Sequence, residues 1–467
     1  MSRGRTTLVY AAVLLIFGAG IYAALERGKR LEAGRTGESS PSSQAAPAQA
    51  AAREAPHNVE LADPLARLLL QLIVIVAFAR LFGALFRRLG QPAVVGEIVA
   101  GMVLGPSVFG AVAPRLSGFF FEASSLGALK LFAEIGVVLF LFVVGLELDL
   151  PRLRSMAQTA IVVSNASIVV PYFLGVVLSL YLYRELAPAG VTFLAFALFM
   201  GIAMSITAFP VLARILSERR LTNTPLGSTA ITCAAINDVT AWSILAVVVA
   251  AFGARGLAAA LPVIALTLAF IAAMIWLVQP RLVRLFARRG EVPLAGGMAM
   301  TGALLFLLVS ALATQAIGIH ALFGAFLAGA VIPRQAGLRE ALIARLEEVT
   351  SILLLPLFFA FTGLRTEIGL LRDGRSWLLC GLIVAVATAG KLGGTLFAAR
   401  LTRLSWADSF ALGALMNTRG LMELIALNLG YEIGILSPRV FAMLVLMALV
   451  TTLSTAPLLW LAERLRT

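Results

Sequence analysis

Residues 201–242 read GIAMSITAFPVLARILSERRLTNTPLGSTAITCAAINDVTAW, running from Gly201 to Trp242. The stretch holds two hydrophobic segments, and each carries a feature that a lipid-facing helix avoids. In the first, Pro210 has no backbone N–H and disfavours helix at the residue before it. A break is therefore predicted over Ser205 to Pro210, with the carbonyls near Ile206 and Thr207 losing their helical partners. Such carbonyls are tolerated at membrane depth only where they line a cavity or are buried in protein. In the second segment Asp238 stands beside Asn237 half-way along, at an insertion cost of at least ~2.5 kcal/mol, which marks the acid as a functional residue. A broken helix next to a buried acid builds a cation site, and its candidate ligands are Asp238, Asn237, Thr207 and Ser205.

Composition places this stretch in a membrane. Hydrophobic residues are 60% of 467 and charged residues 13%, with a mean hydropathy of +0.97, whereas soluble domains carry roughly 45–50% apolar and 25% charged residues. The chain reads as an all-α polytopic protein whose solvent is the lipid bilayer. From Pro64 onward, apolar runs alternate with short charged loops, giving thirteen spans at roughly 64–86, 92–110, 126–148, 156–183, 190–214, 226–252, 257–279, 295–316, 319–335, 348–371, 377–400, 407–430 and 437–462.

The net charge of +13 is read as orientation and not as nucleic-acid binding. Loops after odd-numbered spans, with the C-terminal tail, hold sixteen arginines, and loops after even-numbered spans hold six. That bias puts residue 64 outside and the C-terminus in the cytoplasm; Arg27, Lys29 and Arg30 disagree, and the larger count decides. Residues 1–30, with Arg3 and Arg5 ahead of an apolar run, are expected to be an anchor or a signal peptide. Residues 31–62, rich in Ala, Ser and Pro, are expected to be a disordered linker. Cys233 and Cys380 lie in apolar segments and read as small core residues without a disulfide.

The transmembrane domain, 63–463, repeats itself weakly. GEIVAG at Gly96–Gly101 recurs as GAFLAG at Gly324–Gly329, and GLELDL at Gly145–Leu150 recurs as GLRTEI at Gly363–Ile368. The matches set spans 2 and 3 against spans 9 and 10. An offset of seven spans inverts the second copy, and inverted repeats with discontinuous helices characterise many secondary transporters. If span 5 is broken, span 12 should be broken too. It contains Asn417, Thr418, Arg419 and Gly420 in mid-segment, which are poor residues for a plain lipid helix. By the same rule span 4 pairs with span 11, where Lys391 lies deep in an apolar run.

In order along residues 64–462 stand GQPAVVGEIVAGMVLGPSVFG, LFLFVVGLELD, TAFPVLARIL, AINDVTAW, GIHALFGAFLAG, PLFFAFTGLRT, GKLGGT and NTRGLMEL. Together they resemble the monovalent cation/proton antiporter family 2, especially its plant cation/H+ exchanger and bacterial potassium-efflux-type members. The resemblance implies a core bundle with two crossed broken helices, a second bundle forming a homodimer interface, and elevator-like exchange of Na+ or K+ for H+ across a bacterial inner membrane. By position it makes Asp238 the carboxylate shared by cation and proton, Thr207 a residue of the span 5 crossing, and Lys391 the basic residue of the core.

Two departures bear on mechanism. Some relatives carry two adjacent acids where this chain has Asn237 and Asp238, so one proton per cation is expected, with proton release by Lys391 as the opposing route. Gated relatives append a nucleotide-binding domain, and none is expected after residue 463. No cofactor, transition metal or enzymatic activity is expected. The rival readings are an ungated cation channel or ion-responsive sensor on the same fold, and a sodium-coupled symporter of an organic anion.

Plainer readings stand beside these. Arg419 and Glu423, at i and i+4, form a structural pair. Asp238 pairs with Lys391, or Lys391 neutralises facing helix C-termini. Thr207 either bonds its own helix or offers oxygens to the ion. Glu97 and Glu134, the latter four residues after Lys130, are structural or vestibular. His320 lies near the outer face, where pH sensing is the sharper alternative.

Overall fold

A bilayer core offers no water to the backbone, so a chain this apolar satisfies its N–H and C=O groups within helices. The computed structural model describes residues 3–36, 64–122, 125–147, 158–221, 224–253, 257–288, 297–333 and 338–465, and these are almost wholly helical. The principal helices are α1 (Arg3–Thr36), α2 (Pro64–Arg88), α3 (Ala93–Leu104), α4 (Leu126–Glu147), α5 (Gln158–Leu186), α6 (Phe193–Ser205), α7 (Phe209–Glu218) and α8 (Pro225–Gly253). They continue with α9 (257–288), α10 (Gly297–Ile317), α11 (Ala321–Val331), α12 (338–364), α13 (Gly374–Leu401), α14 (Trp406–Met416), α15 (Leu421–Glu432) and α16 (Pro438–Arg464). Among the described residues nine helical segments are long and apolar enough to cross a membrane, and α14 with α15, bent by 43°, makes a tenth.

Both expected breaks are present. The chain leaves the helix over Ile206–Ala208 between α6 and α7, and over Asn417–Gly420 between α14 and α15. Span 9 is shorter than expected: α11 covers only Ala321–Val331, because His320 and Ile332 on either side are extended and Pro333 follows. Span 10 is displaced. Its helix starts at Leu338 and ends at Leu364, since the first three turns are amphipathic and escape a hydropathy reading. Six residues of the stretch expected as linker are helical. Helix α1 runs on to Thr36, and near its end Glu32 accepts a hydrogen bond from Phe193 N (3.0 Å) at the start of α6; residues 37–63 lie outside the described residues, as do Leu148 to Leu150 of the GLELDL motif.

Packing sorts the helices into two bundles. One comprises α2, α3, α4, α10, α11 and α12. The other comprises α5–α8 and α13–α16, with α1 laid against α5 and α6 and α9 passing between α8 and α10. The repeated glycines explain how closely the first bundle packs. A methyl group added at Gly329 would sit 2.1 Å from Phe142 O, and one at Gly145 2.2 Å from Phe326 O, so α4 and α11 touch backbone to backbone. Gly101 and Gly363 do the same for α3 and α12, with 2.4 Å to Phe359 O and 2.1 Å to the carbonyl carbon of Gly101. Each contact joins a glycine of a motif in the first half of the chain to a glycine of a motif in the second half. Gly329→Ala and Gly363→Ala should each lower stability by about 1–3 kcal/mol through overpacking. Thermal unfolding of the purified protein in detergent checks this, and an unchanged midpoint would refute the backbone contact.

Candidate ion site

The two breaks touch each other. Ala208 N donates to Thr418 O (3.0 Å) and Thr207 Oγ1 donates to Met416 O (3.1 Å), so each interruption supplies a partner that the other lost. Pro210 is the second residue of α7 and has no N–H to return to Ile206. No described residue donates to the carbonyls of Ile206 or Thr207. Thr452 of α16 braces the other break, with its Oγ1 accepting from Arg419 N (2.9 Å) and lying 2.8 Å from Arg419 O. Gly420, the last residue of that break, lets Val211 approach, since a methyl there would meet Val211 Cγ2 at 2.8 Å.

The open C-terminal end of α6 carries a partial negative charge and unpaired carbonyls. Two buried cations cover it. Arg419 donates through Nη1 to Ala203 O and through Nη2 to Met204 O, both at 2.6 Å. Lys391 Nζ donates to Ser205 O, and also to Ser167 O at 2.8 Å. A π-helical turn at Ala389–Gly393 carries Lys391, and such turns recur at functional positions. Arg419 Nη1 also pairs with Glu423 at 3.1 Å, in the first turn of α15, where a carboxylate meets the positive end of the helix. The plain readings of Arg419 with Glu423, and of Lys391 on a helix C-terminus, therefore describe real contacts.

Asn237 is fully occupied. Its Nδ2 donates to Ser167 Oγ (2.9 Å) and to Thr207 Oγ1 (3.1 Å), and its Oδ1 accepts from Ser164 Oγ (2.8 Å). It locks α8 to α5 and to the α6–α7 break. The Thr207 hydroxyl thus does not bond its own helix but donates to the opposite broken helix and accepts from Asn237. Ser205 Oγ donates back to Ile202 O (3.0 Å) and keeps its lone pairs.

Asp238 differs from every other charged group at the crossing. It is 3% exposed, and neither carboxylate oxygen has a hydrogen-bond partner among the described residues. Lys391, its expected partner, is committed to carbonyls. A buried carboxylate with both oxygens bare is costly, and such groups are rare outside functional sites.

A cleft of about 560 Å³ has Phe209, Val211, Ala213 and Leu421, which follow the two breaks, on one wall, and Phe140, Glu147, Glu347 and Thr350 of the first bundle on the other. At the far end of α4, some 25 Å away at 1.5 Å per residue, the bundles are tied together. Lys130 reaches Glu432 (3.1 Å) as well as Glu134 (3.3 Å), Arg365 reaches Glu432 (3.0 Å), and Asn428 Nδ2 reaches Thr362 Oγ1 (2.9 Å). His320 lines a pocket of only about 30 Å³ there with Glu134 and Glu432. Glu97 is buried in α3, away from this contact.

Some residues that matter were not singled out in the sequence. Ser164 and Ser167 hold Asn237, and the only hint is their i, i+3 spacing in an apolar run. Arg339 was read as a loop charge, yet it is buried and donates to Ile332 O (2.7 Å), Leu146 O (2.8 Å) and Ala330 O (3.0 Å), closing the ends of α4 and α11. Cys233 and Cys380 are buried and free, as expected.

A multi-pass protein in which two interrupted helices meet beside an unpartnered buried acid has the architecture of the broken-helix secondary transporters. The chain belongs to the sodium/hydrogen exchanger family, whose transmembrane region it matches over residues 73–461. It is 42% identical over 392 residues to the Na+/H+ antiporter NhaS4 of Synechocystis, covering 84% of this chain and 96% of that protein. It is 39% identical over 392 residues to cation/H+ antiporter 17 of Arabidopsis thaliana, of which it spans only 48%. Among solved structures it shares its fold with the sodium proton antiporter MjNhaP1 of Methanocaldococcus jannaschii, with a TM-score of 0.61 at 15% identity, covering 85% of this chain and 98% of that one.

Proposed function

We propose that this chain exchanges a monovalent cation, Na+ or K+, for H+ across a bacterial inner membrane, one for one, with Asp238 as the carboxylate both ions share. The observation that carries the reading is the pair of bare carboxylate oxygens at the crossing of two broken helices. The antiporter names of its relatives, NhaS4 foremost, support the same class of activity.

Coupling follows from electrostatics. A proton and a dehydrated cation compete for one carboxylate. The loaded site is neutral and moves through an apolar barrier, whereas the empty one would cross as an uncompensated charge at several kcal/mol. The moving part is the bundle that holds Asp238, sliding as an elevator against the first bundle, through which two copies form a homodimer. A cleft between the bundles at one end of α4 and a polar contact between them at the other support alternation between two faces. By the arginine bias the open cleft beside Glu147 faces the cytoplasm and the contact through Glu432 closes the outer side, which leaves the C-terminus cytoplasmic. Lys391 keeps its proton in this scheme, because its ammonium covers a helix C-terminus. Asn237 cannot titrate, so one proton leaves for each cation.

The experiment is transport by the purified protein in liposomes carrying an internal pH dye, with each alkali cation added in turn and the membrane potential clamped. The expected result is cation-dependent proton movement, without any organic substrate, at a rate and end point insensitive to the clamped potential. Proton movement that shifts with the potential would mean that Lys391 releases a second proton. Absence of cation-dependent proton movement would overturn the reading.

A further inference from the structure

Asn417 is the second unpartnered group at the crossing. It is fully buried, and neither its Oδ1 nor its Nδ2 has a hydrogen-bond partner among the described residues. Buried polar side chains are nearly always bonded, and one left bare costs stability. An amide wholly without partners in a packed core therefore needs a reason. A water or an ion supplies one.

Its position supplies the rest. The residues on both sides of Asn417 are clamped to the opposite break, Met416 O by Thr207 Oγ1 (3.1 Å) and Thr418 O by Ala208 N (3.0 Å). The same Thr207 hydroxyl accepts from Asn237, the neighbour of Asp238, at 3.1 Å. One hydroxyl thus ties together the chain neighbours of both bare side chains, beside the undonated carbonyls of Ile206 and Thr207. A hard alkali cation is held by several oxygens. From this juxtaposition we infer that Asn417 is a ligand of the transported cation, supplying its amide oxygen from the second broken helix while Asp238 supplies charge from α8. The inference rests on Asp238 as the transport carboxylate and adds a neutral ligand from the other repeat. It gives the α14–α15 break a chemical role besides a structural one.

A ligand and a structural residue respond oppositely to truncation. Asn417→Ala deletes two unsatisfied polar atoms, so the variant in choline chloride should unfold at the wild-type temperature or above it. Stabilisation by bound cation follows mass action, and the NaCl or KCl concentration for half of that stabilisation should rise about tenfold. Asn417→Asp keeps an oxygen in place and should retain the response. Asp238→Asn, run in parallel, should lose it. The apparent KM for cation in liposomes should rise in Asn417→Ala with the maximal rate largely kept. A wild-type cation titration in Asn417→Ala, with Asp238→Asn unresponsive, would overturn the role of Asn417 alone. So would a lowered unfolding temperature in choline with the cation response intact. A wild-type response in Asp238→Asn would overturn the reading of Asp238 itself.

Discussion

Replacing Asp238 by Asn should abolish cation-driven proton movement, by at least about a hundredfold, given several kcal/mol for moving a site with no titratable group and tenfold per 1.4 kcal/mol. The amide is close in shape but carries no proton and balances no cation. The fold should not suffer. Neither oxygen of Asp238 holds anything in place, so removing its charge relieves a desolvation penalty, and the thermal unfolding midpoint should stay the same or rise, as at sites where function is kept at the expense of stability. Liposome transport and detergent thermal unfolding, measured on one preparation, check both halves. Retained exchange would dismiss Asp238 as the carrier; lost exchange with a collapsed fold would show that the acid holds structure together.

Arg419 should behave in the opposite way. Its guanidinium holds Ala203 O, Met204 O and Glu423 with no exposure to solvent. Arg419→Met removes the bonds to all three partners and strands a buried carboxylate, at a cost of roughly 3–5 kcal/mol. That is a large share of the 5–15 kcal/mol that holds a typical domain together. The expected result is poor recovery of monodisperse protein and a strongly lowered unfolding midpoint. A second substitution, Glu423→Gln, should recover much of the loss, because the stranded charge is then gone while the uncovered helix end remains. If Arg419→Met is as stable as the wild type, the two carbonyls at the end of α6 have another donor. If Glu423→Gln gives no recovery, the loss comes from the carbonyls and not from the ion pair.

The contrast between these two sites shows how far residues alone could be read. Pro210 lacks a donor in any context, and Asn417 to Gly420 resist a lipid helix in any context, so both breaks were legible before any helix was placed. A carboxylate in an apolar run is costly wherever the run goes, which made Asp238 stand out. The apolar runs fall on helices, nine or ten of them long and apolar enough to cross a membrane among the described residues, but boundaries moved where a turn was amphipathic, as at Leu338, or where a cap ended it early, as at Val331. The glycines of the repeat were visible as a pattern. Their reason, backbone contact between α4 and α11 and between α3 and α12, was not.

What the sequence determined by itself was local: a membrane chain, broken at two places, with an acid between. These follow from backbone donors, side-chain volume and the cost of charge in hydrocarbon, all of which belong to a residue and its immediate neighbours. Only the tertiary structure decided which polar groups are satisfied. Lys391 meets Ser205 across 186 residues and Arg419 meets Ala203 across 216, and Arg339 turned from a loop charge into a buried helix cap through Leu146, 193 residues away. A hydrogen bond is settled by angstroms between groups brought together by folding, and so is its absence. That both carboxylate oxygens of Asp238 and both amide atoms of Asn417 are left without partners among the described residues is a property of the assembled crossing, since neighbours such as Asn237, Thr207 and Lys391 are bonded to one another or to backbone carbonyls there.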